Sequence, residues 1–417
     1  MSALPASSPR RRTSMHLLWL KTELLHPVDK GGRIRTYNML RALKRKHRIT
    51  YLTLDNGGAA PDAAERAAEY CHDLIRVPFT EAPRRSPRFW LELAGNLFSP
   101  LPYAVAKYRS DAMRAEIERA VRERGVDLVV CDFLFPSQNV PGGLPCRTVL
   151  FQHNVEAMIW KRHAQVREGK LSHGYFKAQW RRMARFERAE CRRFDQVVAV
   201  SRDDAEVLER AYGLSGVADV PTGVDTDYFR PTGREAQEPF DLVFTGSMDW
   251  MPNEDGILWF VDEILPRIHR RRPEATLTVV GRNPPPRISA LAGRDARLRV
   301  TGTVPDVRPY LERASVFVVP LRVGGGTRLK VYEALAMERA LVSTTIGAEG
   351  LPVTDGRHLL LADDPAAFAD AVAGLLDDPA RSRQLGADAA AFVREHFAWD
   401  RVADEFAASV GAAETMA

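Results

Sequence analysis

The stretch SVFVVPLRVGGGTRLKVYEALAMERALVSTT, residues 315–345, reads as one strand, a loop, a helix and a second strand. SVFVVPL and ALVSTT are short and rich in β-branched residues. RLKVYEALAM between them has helical periodicity, with Leu329, Tyr332 and Ala336 on a core-facing stripe and Lys330 and Glu333 on another face. That alternation is the signature of βα units around a parallel sheet.

Working outward, the same alternation fills the chain. DLVFTGS, ATLTVVG and RLRVTGTV precede the opening stretch. HLLWLK, RITYLTL, DLIRVPF, VDLVVCDF, RTVLFQH and DQVVAVS supply strands in the first half, and a helix over about 203–212 leads to a short strand, VADVP. Between the two series PTGVDTDYFRPTGREAQEPF, residues 221–240, breaks the pattern with proline, glycine and polar residues and reads as a linker. The chain closes with helical patterns over 379–395 and 398–411. The expected organisation is a disordered basic tail (1–14), a first doubly wound, Rossmann-like α/β domain (15–220), the linker, a second such domain (241–395) and a terminal helical segment (396–417). Such sheets bind ligands at the carboxyl ends of their strands, so a cleft between two of them is the expected site.

Composition narrows the chemistry. With 417 residues, 45% hydrophobic and 27% charged, the chain is too long for one core and ordinary for a globular protein. Its four cysteines are scattered and form no C-x-x-C or Cys/His cluster, so neither a disulfide framework nor a zinc site is expected, and a reducing cytoplasm is the natural compartment. No run of eighteen apolar residues suggests a transmembrane helix. A net charge of +5 without a nucleic-acid motif points to no nucleic-acid partner. Only nine of the 59 basic residues are lysines, and the last 240 residues hold one, Lys330.

Two readings of the opening stretch stand side by side. Glycines 324–326 let backbone approach a ligand closely, the first amides of the following helix favour an anion, and Lys330 adds a charge suited to a diphosphate. Glu333, one turn on, suits sugar hydroxyls. Alternatively the loop is merely flexible and Lys330 and Glu333 form a surface pair worth a few tenths of a kcal/mol.

The whole segment PLRVGGGTRLKVYEALAMERALVSTTIGAEGL resembles the nucleotide-sugar site of family 4 (group 1) glycosyltransferases of the GT-B fold, in a bacterial subgroup with a GGGTRLK loop. Glu333 matches the second glutamate of the family pattern, and Gly325 stands where the first is usual. FTGSMDWMPNEDGILWF, VVGRNP, VTGTVPDVRPYL, VPTGVDTDYFRP and EHFAWDRVADEF extend the resemblance over nearly the whole chain. It implies two Rossmann-like domains facing a central cleft with the terminal helix crossing back. It also implies a donor site of Gly31 and Gly32 in the HPVDKGGRIRT loop, Gly246, Arg282, Gly325, Gly326, Thr327, Arg328, Lys330 and Glu333. His153, at the end of RTVLFQH, matches a histidine placed near the donor sugar, so His153 and Lys330 are the expected catalytic residues. Arg33 and Arg35 are secondary candidates, and Asn253 and Asp306 read as helix caps. Glu156 reads as a capping partner of Asn154.

The function the resemblance implies is a retaining, metal-independent glycosyltransferase of hexosyltransferase type. It would move sugar from a nucleoside diphosphate sugar, with no cofactor besides that donor, to a glycan or lipid-linked acceptor in exopolysaccharide or cell-envelope synthesis. A GT-B epimerase and a non-catalytic nucleotide-sugar binding protein are the alternatives. Residues 84–109 and 160–193 mix arginines with aromatics, the latter holding eleven basic residues against three acids. Two readings again apply: aromatics in the core with solvated arginines, or contact with the inner face of the cytoplasmic membrane.

Overall fold

HLLWLK forms β1 (His16–Lys21), and all six residues are buried, as in a strand covered on both faces of a parallel sheet. The computed structural model describes residues 14–83, 85–166, 169–323 and 328–411. The tail expected over 1–14 therefore lies outside the described residues except for Ser14. The chain divides into a first unit that runs to Val220 and takes back the segment from Ala403, and a second unit, Pro221–Val402.

In the first unit β1 is joined by β2 (Arg48–Asp55), β3 (Asp73–Pro78), β4 (Leu128–Asp132), β5 (Arg147–Phe151), β6 (Gln196–Ala199) and β7 (Ala218–Asp219) in the order β3-β2-β1-β4-β5-β6-β7. All pairings are parallel. Strand order reverses between β1 and β4, which makes that junction the switch point. The helices that matter below are α1 (Gly31–Lys44), α2 (Pro87–Asn96), α3 (Glu156–Val166) and α4 (Lys170–Arg193). VADVP contributes only the two residues of β7.

The second unit repeats the plan with β8 (Asp241–Thr245), β9 (Thr276–Val280), β10 (Leu298–Gly302), β11 (Val316–Val319), β12 (Leu341–Ser343) and β13 (Leu360–Leu361) in the order β10-β9-β8-β11-β12-β13, again all parallel. Its switch point is between β8 and β11. Helix α5 (Met251–Trp259) follows β8, and α6 (Leu329–Ala336) follows β11. Tyr332 and Ala336 of the predicted stripe are buried, and Tyr332 stacks on Phe397 at 4.6 Å. Burying a side chain of that size stabilises by about 1.5–3 kcal/mol, which fixes the rotation of α6 and hence which face carries Lys330.

The segment 221–240 is tied to the second unit. Val224 N donates to Phe397 O at 2.8 Å, Glu312 accepts from the amides of Thr232 and Gly233, and the Arg308 guanidinium lies 3.7 Å over the Tyr228 ring. The last helix, α7 (Trp399–Gly411), ends in the first unit, where Phe406 packs against Trp19 at 5.6 Å and Phe151 at 5.3 Å. Gln196 Nε2 donates to Ser409 O, and Lys46 pairs with Asp404 at 2.6 Å. No described helix is long and apolar enough to cross a membrane.

Candidate functional site

In the second unit the site grows from two glycines. Gly246, just past β8, donates its amide to Val280 O at 2.9 Å, and a Cβ on Gly281, just past β9, would sit 1.7 Å from Gly246 O. Only a residue without a Cβ at 281 allows these strand ends to approach so closely. A Cβ on Gly246 itself would lie 2.7 Å from Lys330 Nζ and 2.6 Å from Asn253 Nδ2. The missing side chain therefore makes the space that the lysine occupies.

Lys330 stands in the first turn of α6. Its Nζ donates to Asn253 Oδ1 at 2.7 Å and lies 4.0 Å from the centre of the Phe244 ring. Asn253 Nδ2 in turn donates to Ser247 O at 2.8 Å, which fixes the amide's orientation so that its oxygen faces the ammonium. Asn253 is therefore not the cap expected from Pro252: the helix starts at Met251, and its third residue reaches inward to hold the lysine. Lys330 forms no ion pair with Glu333, so the surface-pair reading fails. Among the described residues Glu333 has no hydrogen-bond or ion-pair partner. Burial, helped by the Arg328 charge and opposed by Glu333, lowers the Lys330 pKa to about 7. Burial also raises Glu333 to about 7 against the pull of Lys330.

Arg328 is buried, donates to Ile346 O at 3.4 Å and lies over the Trp250 ring at 5.6 Å, linking the turns after β8 and β12. Arg282 donates from Nε to Ser247 Oγ at 2.8 Å, so it lies beside the same turn. Gly246, Arg282, Arg328, Lys330 and Glu333 are thus gathered at the carboxyl edge of one sheet. Gly325, Gly326 and Thr327 lie outside the described residues. Asp306 accepts from Arg308 N at 2.9 Å but is not the cap expected of it: the N-cap of the helix Arg308–Arg313 is Val307, which makes no side-chain cap bond.

In the first unit the predicted residues fall differently. Gly31 and Gly32 do not follow the strand directly: β1 ends at Lys21, nine residues separate them, and the two glycines open α1. Its first-turn amides retain the anion-favouring character of a helix start. Arg33 is taken up by Glu23 at 2.5 Å and Asp29 at 3.3 Å, and Arg35 is buried.

His153 is buried, stacks on Phe133 at 3.9 Å and places Nε2 2.6 Å from Asp132 Oδ1. The other oxygen of Asp132 accepts from Trp19 Nε1 at 2.9 Å, Lys21 Nζ at 3.0 Å and Thr36 Oγ1 at 2.5 Å. Burial opposes the Asp132 charge, yet Lys21 and His153 hold its carboxyl well below the usual range. Burial pushes His153 down to about 3 against the attraction of Asp132, so its ring is neutral at pH 7. The N-terminus of α3, just after His153, is capped from α4: Glu187 accepts from the amides of Glu156 at 2.8 Å and Ala157 at 2.9 Å. The Asn154–Glu156 pairing expected from sequence is supplemented by this distant carboxylate.

Asp132, Lys21 and Glu187 were not singled out by the sequence reading. A signal existed for the first two, since each is the one charged residue ending an otherwise apolar strand. Glu187 had none, being one acid among the arginines of α4.

Known proteins resemble this chain in both halves. The family described as Glycosyltransferase Family 4 matches residues 30–228, and that described as Glycosyl transferases group 1 matches residues 239–378, together about four-fifths of the chain. The lipopolysaccharide core biosynthesis mannosyltransferase LpsB of Rhizobium meliloti is 28% identical over 292 residues, covering 64% of this chain and 80% of LpsB. The chain spans about half the length of several other curated relatives it matches. Among solved structures, sucrose-phosphate synthase of Thermosynechococcus elongatus superposes with a TM-score of 0.67 at 19% identity, covering 97% of this chain and all of that one. Anabaena Alr3699/HepE, solved in complex with UDP and glucose, gives 0.63 at 12% identity, covering 95% and 99%. These superpositions establish the GT-B fold, two parallel-sheet Rossmann-like domains.

Proposed function

The chain belongs to the group 1, family 4 glycosyltransferases, and we propose that it transfers a hexose from a nucleoside diphosphate sugar, with retention, to a glycan or lipid-linked acceptor of the bacterial envelope or exopolysaccharide. The observation that carries the donor assignment is Lys330. Its half-buried ammonium is held by a neutral amide, at a pKa near 7, beside the glycine turn after β8. A cation held by an amide and in no ion pair among the described residues, at the carboxyl edge of a doubly wound sheet, suits an anionic ligand that brings a closer counter-charge with it.

The leaving group of such a transfer is a nucleoside diphosphate, so catalysis must stabilise charge growing on its β-phosphate. Lys330 supplies the positive charge, with Arg328 and the amides opening α6 in support, and the reaction proceeds without a metal ion. Glu333, one turn further along, accepts from sugar hydroxyls. His153 is the second residue we assign to the sugar: its ring is neutral, with Nε2 already against Asp132 Oδ1 and Nδ1 as the remaining ring nitrogen. UDP, bound by the Anabaena protein, is the first nucleotide to test.

The test is thermal stabilisation of the full chain by UDP, GDP, ADP and their sugar conjugates, followed by donor hydrolysis and transfer with and without a chelator. One diphosphate should raise the melting temperature by mass action, and Lys330→Ala and Glu333→Ala should abolish the rise. A protein that no nucleotide stabilises, or variants that behave as wild type, would remove the donor site. Binding without turnover would leave the non-catalytic alternative.

A further inference from the structure

Helix α2 turns its apolar face outward. Ser86 caps it through Phe89 N, and it is moored by polar bonds on its inner side: Asn96 Nδ2 to Leu101 O at 3.0 Å, and Arg182 of α4 to Asn96 O at 2.8 Å. With that orientation fixed, Trp90 is 56%, Leu91 74%, Leu97 54% and Phe98 93% exposed. A helix anchored by its polar groups, with two large apolar side chains on it and two more in the turn just after it all in water, is a patch that calls for an apolar partner.

The neighbouring face of α4 says which kind. Arg182 also donates to Leu97 O at 2.6 Å, so the end of α2 lies along α4. On α4 the exposed side chains Lys177, Arg181, Arg185 and Arg188 recur every three or four residues. Both acids in the described part of that helix, Glu187 and Glu190, are buried. The solvent face of α4 is therefore cationic without interruption over three turns. The one carboxylate on α2, Glu92, is paired with Arg88 at 2.9 Å and accepts from Tyr103 OH.

We propose that α2 and the solvent face of α4 form a docking surface for an anionic lipid bilayer. In this arrangement Trp90, Leu91, Leu97 and Phe98 enter the headgroup–acyl boundary, and Lys177, Arg181, Arg185 and Arg188 lie over the phosphate layer. Apolar side chains flanked by unopposed cations match the two layers of such a surface, an apolar interior below a negative plane. A second protein copy would bring the same cations against themselves, which disfavours self-association through this face. The surface is separate from Lys330 and stands or falls independently of the donor assignment.

The experiment is co-sedimentation of the full-length protein with vesicles of phosphatidylcholine, with and without phosphatidylglycerol, at low and high salt. Binding should require phosphatidylglycerol and weaken with salt. Arg181→Glu with Arg185→Glu should lower the partition coefficient at least about twentyfold, since each cation near an anionic surface contributes roughly fivefold. Leu91→Ser with Phe98→Ser should lower it about tenfold or more by removing the inserted apolar area. Melting temperature and nucleotide-induced stabilisation should stay at wild-type values in both pairs, separating loss of docking from loss of fold or of the donor site. No preference for phosphatidylglycerol vesicles, or partitioning indifferent to both variant pairs, would overturn the proposal. So would a dimer in sedimentation velocity that Leu91→Ser with Phe98→Ser dissolves, because a second copy would then be the occupant.

Discussion

Each unit places a lysine and a carboxylate at its switch point, and the two pairs are built to opposite ends. At the β1/β4 junction Lys21 and Asp132 end neighbouring strands, touch at 3.0 Å and are almost wholly buried. Their remaining capacity is taken by Trp19, Thr36 and His153. At the β8/β11 junction Lys330 and Glu333 sit one helical turn apart, do not pair, and each is driven toward neutrality by burial. One pair is closed, with its counter-charge supplied by the protein. The other is open, and a ligand must supply it. The two lysines are thus told apart by their partners: a carboxylate marks the structural, almost inaccessible one, an amide the half-buried binding one.

The largest effect should come from opening the closed pair. Asp132→Asn leaves Lys21 buried without a counter-charge, and breaking such a pair costs about 3–5 kcal/mol, readable in denaturant unfolding. Combining it with Lys21→Met removes the stranded charge and should recover most of the loss. If Asp132→Asn lowers activity but not stability, the first pair is functional too and the comparison breaks. Next comes Lys330→Met, which should lower kcat for donor turnover by about 10²–10³, the usual loss for a group that stabilises a developing anion. The same change should leave unfolding stability equal or higher, because it deletes a cation whose burial costs free energy. A variant that is inactive only because it melts early would place Lys330 with Lys21.

Both pairs bear on what a sequence discloses. The two sheets were legible because strands such as HLLWLK and SVFVVPL carry continuous apolar runs at parallel-strand length, and the break at 221–240 marks where one series gives way to the next. Lys330 was legible because it stands after glycines at a helix start and is the sole lysine of the last 240 residues. What holds it was not. Asn253, 77 residues away, looks like a cap from its neighbour Pro252, and only the packing of α5 against the end of β8 turns its amide inward. The Asp132 cluster was hidden for the same reason, since Trp19, Lys21, Thr36, Asp132 and His153 meet only through sheet order. Local spacing reveals groups that act from one helix or turn, and it is blind to groups that converge from separate strands.

A subtler effect concerns protons. Free Lys330, lowered to about 7, is mostly neutral at about pH 8, whereas a bound diphosphate favours the ammonium. Binding at that pH should take up close to one proton, measured by calorimetric titration in buffers of different ionisation heat. Affinity should weaken as pH rises above about 7, by up to about tenfold per unit. For the unliganded protein the sign runs the other way. The unfolded chain keeps the lysine proton up to about 10 while the folded chain releases it near 7, so this residue makes stability rise with pH between those values. Glu333, raised to about 7, makes stability fall as pH climbs from about 4.3 through 7. Proton uptake that persists in Lys330→Met would assign it to another group.

The smallest change tests how finely the open pair is placed. Gly246→Ala puts a methyl 2.7 Å from Lys330 Nζ and 2.6 Å from Asn253 Nδ2, both ends of side chains that can move, so the fold should lose less than about 1 kcal/mol. The lysine must then swing away from the amide that aims it. Diphosphate affinity should fall about tenfold, roughly 1.4 kcal/mol, in the same calorimetric titration. Gly281→Ala is the control for backbone crowding: its Cβ would meet Gly246 O at 1.7 Å, which no rotamer relieves, and it should be lost at the folding stage. If Gly246→Ala binds diphosphate as wild type does, the exact seat of Lys330 is immaterial, and the ligand is held by the amides at the start of α6 with the lysine only contributing field. If binding falls while stability holds, aim as well as charge separates the open pair from the closed one.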